Sequence, residues 1–237
     1  MDIQVIIPTY NERENLPGLV RAILARDGYR VMVVDDNSPD GTGPIAETLA
    51  GEFPGRMEVV HRTGPRGLGR SYVEGLQRAV AGTADVICQM DADWSHDPQY
   101  LPDMVAAIEV HDVVIGSRYL QGVSVVNWPL RRLMLSTFAN RYIRAITRLK
   151  ARDCTSGFRC WRRDTLASLP LDRVMSDGYA FVVEMLYEAA RRGARVGEVP
   201  IIFVERRQGV SKLSTGVLIE SIVTPWRLVL RDTFTRV

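Results

Sequence analysis

Asp91 and Asp93 flank a single alanine directly after the apolar run Ala84–Met90. Carboxylates at i and i+2 beyond a strand can converge on one divalent cation. Mg2+ and Mn2+ take oxygen ligands and need few from the protein when a diphosphate supplies the rest. The same pair also fits turn chemistry, since aspartate starts turns and caps helices. A second acidic cluster, Asp35-Asp36-Asn37-Ser38-Pro39-Asp40-Gly41-Thr42, follows the run Arg30–Val34. Asp35 and Asp36 can accept from ribose hydroxyls or a base N–H, while Asp40 or Thr42 is placed to cap the next helix. Gly64-Pro65-Arg66-Gly67-Leu68-Gly69-Arg70 precedes a helical stretch. It can bring backbone N–H groups and Arg66 to a phosphate, or be an ordinary loop. It matches neither GxxxxGK[ST] nor GxGxxG, which excludes the P-loop and dinucleotide readings. The second half adds cations beside small polar residues: Ser117-Arg118, Arg131-Arg132 with Ser136, Arg206, and Ser211-Lys212. Arginine's fork binds two phosphate oxygens at once, although each cation alone also reads as a solvated surface charge. His61, His96 and His111 make no visible nucleophile–base arrangement.

These residues sit at the ends of elements. In the first half, strand patterns at Ile3–Pro8, Arg30–Val34, Met57–His61, Ala84–Met90 and Asp112–Ile115 alternate with helical periodicity at Glu12–Ala25, Thr42–Ala50, Leu68–Val80 and Pro98–Val110. That rhythm predicts an α/β fold with a mostly parallel sheet flanked by helices. Ligands of such sheets bind beyond the carboxyl ends of the strands. Four polar clusters fall there: Thr9–Glu12, Asp35–Asn37, Asp91–Asp93 and Gly116–Arg118. Together they suggest one shared site. After Arg118 the spacing predicts a loop over Gln121–Pro129, a basic helix over Leu130–Leu149, a short strand or turn over Thr155–Trp161 and a helix over Gly178–Arg192. An edge strand broken by Pro200 follows over Val196–Val204, then a helix over Leu213–Leu230. With no linker, repeat or low-complexity tract, residues 1–237 read as one domain.

The chain has 237 residues, 46% hydrophobic and 24% charged, a composition that excludes disorder and collagen. Three cysteines without a CxxC pair argue against structural zinc and fit reduced, cytosolic thiols. The start MDIQVIIPTYNERENL lacks the basic segment of a signal peptide, and no run of about 18 apolar residues suggests a membrane span. The net charge of +2 conceals a division. Residues 1–117 carry 9 Lys+Arg against 18 Asp+Glu, and residues 118–237 carry 21 against 10. An acidic half suits a cation, and a basic half suits phosphates, nucleic acid or an anionic membrane. No nucleic-acid motif supports the second of these.

The segments VIIPTYNERENL, VVDDNSPDGT, GLGRSY, MDADWSH, IGSRY, NWPLRRLMLS, TSGFRCWRRD, SDGYAFVVEM and ERRQGVSKL resemble the family 2 glycosyltransferases, most closely the dolichol- and polyprenol-phosphate mannose synthases. The resemblance runs in order from Ile3 to about Leu213. It implies a GT-A fold, with 1–117 as the nucleotide- and metal-binding half and 118–237 as the acceptor-binding half. It implies Pro8, Tyr10, Glu12, Asp35, Asp36, Arg66, Asp91, Arg206 and Lys212 for the nucleotide sugar, and Asp91 and Asp93 for Mg2+ or Mn2+. Ser95 stands where some relatives have a glutamine ligand. Arg118, Arg132 and Ser136 would grip a lipid phosphate, with Asp91, Asp93 and Arg118 at the chemistry. The implied reaction is inverting transfer of mannose from GDP-mannose to a polyprenyl or dolichyl monophosphate. The alternatives are another nucleotide sugar, such as polyprenyl-phosphate glucosyl transfer, or a soluble acceptor.

The acceptor implies a peripheral enzyme at the cytoplasmic face of a membrane. Leu218, Ile219, Ile222, Val223, Trp226, Val229 and Leu230, flanked by Arg227 and Arg231, can form an interfacial helix face. They can equally pack on their own domain or dock on a separate membrane-anchoring subunit.

Overall fold

The computed structural model describes residues 1–174, 176, 178–204 and 215–235. Seven strands form one sheet: β1 (Ile3–Thr9), β2 (Tyr29–Asp35), β3 (Met57–His61), β4 (Val86–Gln89), β5 (Val113–Ser117), β7 (Arg159–Arg162) and β8 (Val196–Pro200), in the order β3-β2-β1-β4-β7-β5-β8. The short strands β6 (Val125–Val126) and β9 (Phe203–Val204) pair separately. The helices are α1 (Leu16–Leu24), α2 (Thr42–Glu52), α3 (Leu68–Ala81), α4 (Leu101–Ala107), α5 (Leu130–Thr147), α6 (Arg163–Ala167), α7 (Gly178–Arg191) and α8 (Thr215–Thr235).

The sheet is mostly parallel, as the alternating pattern predicts. β7 alone is reversed and is inserted between β4 and β5. The reversal brings the segment before β7 to the same edge as the carboxyl ends of β4 and β5. Arg159 is paired in register with both Gln89 and Ile115.

Both faces of the sheet are covered. Val5, Ile7, Val31 and Val33 pack towards α1, α2 and α4, while Ile6, Met32 and Val34 pack towards α3 and α7. Two-sided burial explains why these strands read as continuous apolar runs and not as an alternation. α1 begins at Leu16, later than the periodicity from Glu12 suggests. Asn11 takes a left-handed φ of 61°, Glu12–Asn15 form a turn, and Pro17 sits in the first helical turn, where a missing N–H costs nothing. Asp40 takes the N–H of Thr42 at 3.0 Å, at the entry to α2.

α3 approaches the sheet closely because Gly75 has no side chain. A Cβ there would lie 2.6 Å from Ile6 Cγ2 and 2.9 Å from Val34 Cγ2. Gly75→Ala therefore overpacks a filled core and should cost about 1–3 kcal/mol, read as a lower midpoint in urea or thermal unfolding. An unchanged midpoint would show that α3 can lift from the sheet freely.

Candidate active site

The carboxyl ends of β1, β2, β4 and β5 carry the four polar clusters to one edge of the sheet. Three of the connecting turns pass through a left-handed residue: Asn11 after β1, Asn37 after β2 and Trp94 after β4, with φ of 61°, 57° and 63°. Asparagine tolerates this conformation, but tryptophan does so at a cost. Trp94 is held by packing over Gly18 and by its indole N–H, which donates to the Asn15 carbonyl at 3.2 Å.

On the β1–β2 side, Arg66 donates to the Tyr10 hydroxyl at 2.6 Å, and its guanidinium lies 4.6 Å from the ring centre. Pro8 is buried within β1. The Glu12 N–H donates to Thr42 Oγ1 at 2.9 Å, and its carboxylate accepts from Asn15. Asp35 accepts from Thr9 and from the backbone and hydroxyl of Ser38. Asp36 is committed to the protein: its carboxylate accepts from the Gly67 N–H at 2.8 Å and from the Arg62 guanidinium. It thus fastens the glycine-rich loop to the end of β2.

The Asp91–Asp93 turn is held from several sides. Tyr72 of α3 donates to Asp91 Oδ1 at 2.8 Å. Burial first, then the Asp91 charge, pushes the Tyr72 phenol well above its usual pKa and keeps it a donor. The Asp91 N–H donates to His96 Nδ1 at 3.0 Å, which leaves Nε2 as the protonated nitrogen, 4.0 Å from Asp91 Oδ2. His96 is buried against Phe158. Asp93 accepts from the backbone and the hydroxyl of Ser95, the latter at 2.6 Å. The structure thus places Ser95 as a brace for Asp93. Among the described residues no group of three or more His, Cys, Asp or Glu is placed to hold a metal ion by itself. The donor set is two carboxylates, with the Asp91 side chain 36% exposed. That suits a hard cation whose other ligands are diphosphate or water oxygens.

At the end of β5, Arg118 is buried and forks onto Asp153, Nε to Oδ2 at 2.7 Å and a terminal nitrogen to Oδ1 at 2.6 Å. Thr155 accepts from the same guanidinium at 2.8 Å. Glu198 of β8 takes the N–H groups of Arg152 and Asp153. Burial alone would raise the pKa of Asp153. The Arg118 charge and hydrogen bonds more than offset it and hold the carboxyl below its ordinary range. Arg159, fully buried beneath this segment, donates to the carbonyls of Ser156, Cys154 and Val182. Burial lowers its pKa to about 10, so it stays cationic at neutral pH.

A cavity of about 240 Å3 joins these groups. Its lining includes Asp91, Asp93, His96, Arg118, Trp128, Arg132 and Ser136, together with the apolar side chains Phe138, Ile143, Val183 and Ile222 from α5, α7 and α8. Arg132 stacks over Trp128 at 4.3 Å, and Ser136 Oγ accepts from the Tyr119 hydroxyl at 2.7 Å. The cavity thus brings Asp91, Asp93, Ser95, Arg118, Arg132 and Ser136 together, with Tyr10, Glu12, Asp35 and Arg66 outside its walls on the β1–β2 side. Arg206 and Lys212 lie outside the described residues.

The sequence profile described as Glycosyl transferase family 2 matches residues 4–169. The chain belongs to that family. This glycosyltransferase is 45% identical over 236 residues to an undecaprenyl-phosphate mannosyltransferase of Micrococcus luteus, covering 98% of this chain and 96% of the relative. It is 45% identical over 226 residues to a polyprenol monophosphomannose synthase of Mycolicibacterium smegmatis, covering 94% and 85%. Its fold is similar to that of glucosyl-3-phosphoglycerate synthase from Mycobacterium tuberculosis, solved with Mn2+, UDP-glucose and phosphoglyceric acid. The TM-score is 0.69 at 19% identity, over 96% of this chain and 79% of that one. The fold is therefore GT-A.

Asp153, Tyr72, His96 and Trp128 escape a reading by spacing, although three lie in or beside the recognised segments: Tyr72 in GLGRSY, His96 in MDADWSH and Trp128 in NWPLRR. Their partners are distant in sequence, and only the fold pairs them.

Arg118→Leu strands the Asp153 charge in the interior and should cost about 3–5 kcal/mol. Arg118→Leu/Asp153→Asn should regain most of that stability. The sign with pH follows from the depressed Asp153 pKa. Its contribution is complete above the unfolded carboxyl value of about 3.9 and is lost as pH falls through the lower folded value. Asp153→Asn should remove that acid limb from the urea-unfolding profile. A double variant no more stable than Arg118→Leu would refute the pairing argument.

Proposed function

We propose that the protein transfers mannose from GDP-mannose to a polyprenyl monophosphate with inversion at the anomeric carbon, aided by a divalent cation. The observation that carries this reading is the cavity itself. It joins two carboxylates, two arginines and a serine to an apolar lining from α5, α7 and α8. A soluble sugar acceptor has no use for that apolar lining, whereas a lipid phosphate uses both the charged and the apolar residues. The names of the two relatives at 45% identity agree with this acceptor.

In this reading residues 1–117 hold the donor and residues 118–237 the acceptor within one catalytic unit. Tyr10, Glu12, Asp35 and Arg66 face the nucleoside side with Pro8 behind them. Asp36 acts through the glycine-rich loop, and Arg206 and Lys212, outside the described residues, add cations for the phosphates. Asp91 and Asp93 hold Mg2+ or Mn2+ with Ser95 in support. The cation supplies the charge that stabilises the departing diphosphate. Arg118, Arg132 and Ser136 place the acceptor phosphate. One of its oxygens attacks C1 of mannose, the C1–oxygen bond to the diphosphate breaks, and GDP leaves carrying the electron pair. The acceptor oxygen is already anionic at neutral pH, so the step needs no strong general base. Fixed cations along the path stabilise the charge as it moves.

The acceptor also calls for a lipid surface, on the cytoplasmic face as the sequence suggests. Among the described residues no helix is long and apolar enough to cross a membrane. α8 instead presents two faces. Arg227 and Arg231, which the sequence suggests as flanks of the apolar stripe, turn inward to Glu184 and Glu188 of α7. That leaves Ile222, Val223, Trp226 and Leu230 exposed beside Leu130, Met134 and Phe138 of α5. The two helices are joined where Tyr142 donates to the Ile222 carbonyl and accepts from the Trp226 indole N–H. This paired face suits the headgroup region of a bilayer.

Radiolabelled GDP-mannose should pass label to a polyprenyl phosphate with Mg2+ or Mn2+ and not with chelator. Asp91→Asn and Asp93→Asn should each lower turnover at least about 100-fold, a loss of roughly 3 kcal/mol in transition-state stabilisation, with unfolding midpoints little changed. Label accepted only from another nucleotide sugar would replace mannose in the reading. Vesicle flotation tests the surface: Val223→Glu/Leu230→Glu should weaken binding to vesicles containing anionic lipid by about tenfold or more. Equal flotation of variant and parent would remove this face from the account.

A further inference from the structure

The protein has four tryptophans, and three have their indole N–H satisfied inside the fold. Trp94 donates to the Asn15 carbonyl at 3.2 Å, Trp161 to Gln89 Oε1 at 2.6 Å and Trp226 to the Tyr142 hydroxyl at 2.9 Å. Trp128 is the exception: its Nε1 is buried and has no hydrogen-bond partner among the described residues. A buried N–H left unpaired is costly, so its persistence needs a reason. Its surroundings supply one. The Trp128 ring lines the cavity between the two arginines, 4.3 Å from the Arg132 guanidinium carbon and 5.5 Å from that of Arg118, with Phe203 edge-on at 5.4 Å.

The local sequence fixes this placement. Asn127 turns the chain with a left-handed φ of 64°, and Pro129 restricts the residue before it to extended conformations. Trp128 is therefore held between two stiff neighbours. The Pro129 carbonyl then receives the N–H groups of Arg132 and Leu133, which starts α5 and sets Arg132 one turn beyond the ring. From there the Arg132 guanidinium lies over the indole.

We infer that Trp128 is a further binding residue of the acceptor site: its indole N–H donates to an oxygen of the incoming phosphomonoester, and its ring holds Arg132 in place to meet the same group. The inference rests on the lipid-phosphate reading given above. A phosphomonoester presents several acceptor oxygens, and Arg118 already spends three of its N–H donors on Asp153 and Thr155. One further neutral donor beside the arginines helps to satisfy the phosphate while adding no charge.

Two variants separate the ring from the N–H. Trp128→Phe keeps an aromatic surface and deletes the donor. It should raise the KM for geranylgeranyl monophosphate about tenfold, leaving the KM for GDP-mannose unchanged. Trp128→Leu also removes the surface under Arg132 and should lower kcat as well. A spectroscopic signature accompanies them. In 15N-labelled protein the indole resonance that disappears in Trp128→Phe should move downfield when geranylgeranyl monophosphate is added, and stay still with GDP alone. Two results would overturn the inference while the acceptor reading stands: the lipid phosphate binds and that resonance does not move, or Trp128→Phe matches the parent in acceptor KM. If the parent protein neither binds nor mannosylates the lipid phosphate, the acceptor reading fails and this inference falls with it.

Discussion

The buried pair between Arg118 and Asp153 is the contact on which the site's geometry depends. Arg118 ends β5, Asp153 precedes the reversed strand β7, and Glu198 on β8 takes two backbone N–H groups beside Asp153. One ion pair therefore ties three strand-linked segments into a single wall. Removing two charges from water costs several kcal/mol per ion, and a pair survives there only when its remaining hydrogen-bonding capacity is filled. Here it is filled by Thr155, by the Arg118 backbone N–H and by the fork geometry itself. A pair of this kind is a poor source of stability and a good source of position. It gives the cavity a cation whose place does not depend on solvent.

The reversal of β7 is what allows that wall to exist. Were β7 parallel to its neighbours, the segment Asp153–Gly157 would enter the sheet at the opposite edge, far from Asp91. With β7 reversed, Gly157 sits beside Asp91 and His96, close enough that an added Cβ would lie 3.6 Å from the His96 ring and 3.9 Å from the Asp91 carboxylate. Arg159 extends the logic inward. With each of its three guanidinium nitrogens donating to a backbone carbonyl, it fixes the bend before β7 and leaves a buried positive charge there. Acidic and basic halves of the sequence are thus interleaved at the site, although they are separated along the chain.

Much of this was legible in the residues. Apolar runs ending in polar clusters located the strand ends, because a strand buried on both faces has to be apolar until it emerges. The Asp91–Asp93 turn and the glycine-rich segment before α3 stood out for the same reason. What could not be read was every feature that depends on who meets whom. Asp36 looked like a ligand contact, yet Arg62 and the Gly67 N–H occupy it. Arg227 and Arg231 looked like interfacial flanks, yet they reach buried glutamates more than 40 residues away along the chain. Tyr72 and His96 lie within recognised segments, but their meaning comes from Asp91, which only the fold brings to them. Direction was equally silent: a four-residue strand such as β7 has the same pattern whether it runs with its neighbours or against them.

The treatment of α8 shows how burial and exposure can be satisfied together. A helix packed on its own domain and a helix offered to lipid look like competing assignments when only an apolar stripe is visible. They cease to compete once the polar residues are placed. Leu228 and Thr224 face inward and are buried, and the two arginines pair across to Glu184 and Glu188. The ion pairs therefore do the docking, and the apolar residues that docking would otherwise consume remain outside. The same division appears in the cavity, where charge sits at the sheet and apolar surface sits between α5 and α8. A phosphate carried on a hydrocarbon chain meets these two environments in the order in which its own chemistry changes. Water would separate the two only if α8 lifted from α7, and the buried glutamates make that movement costly.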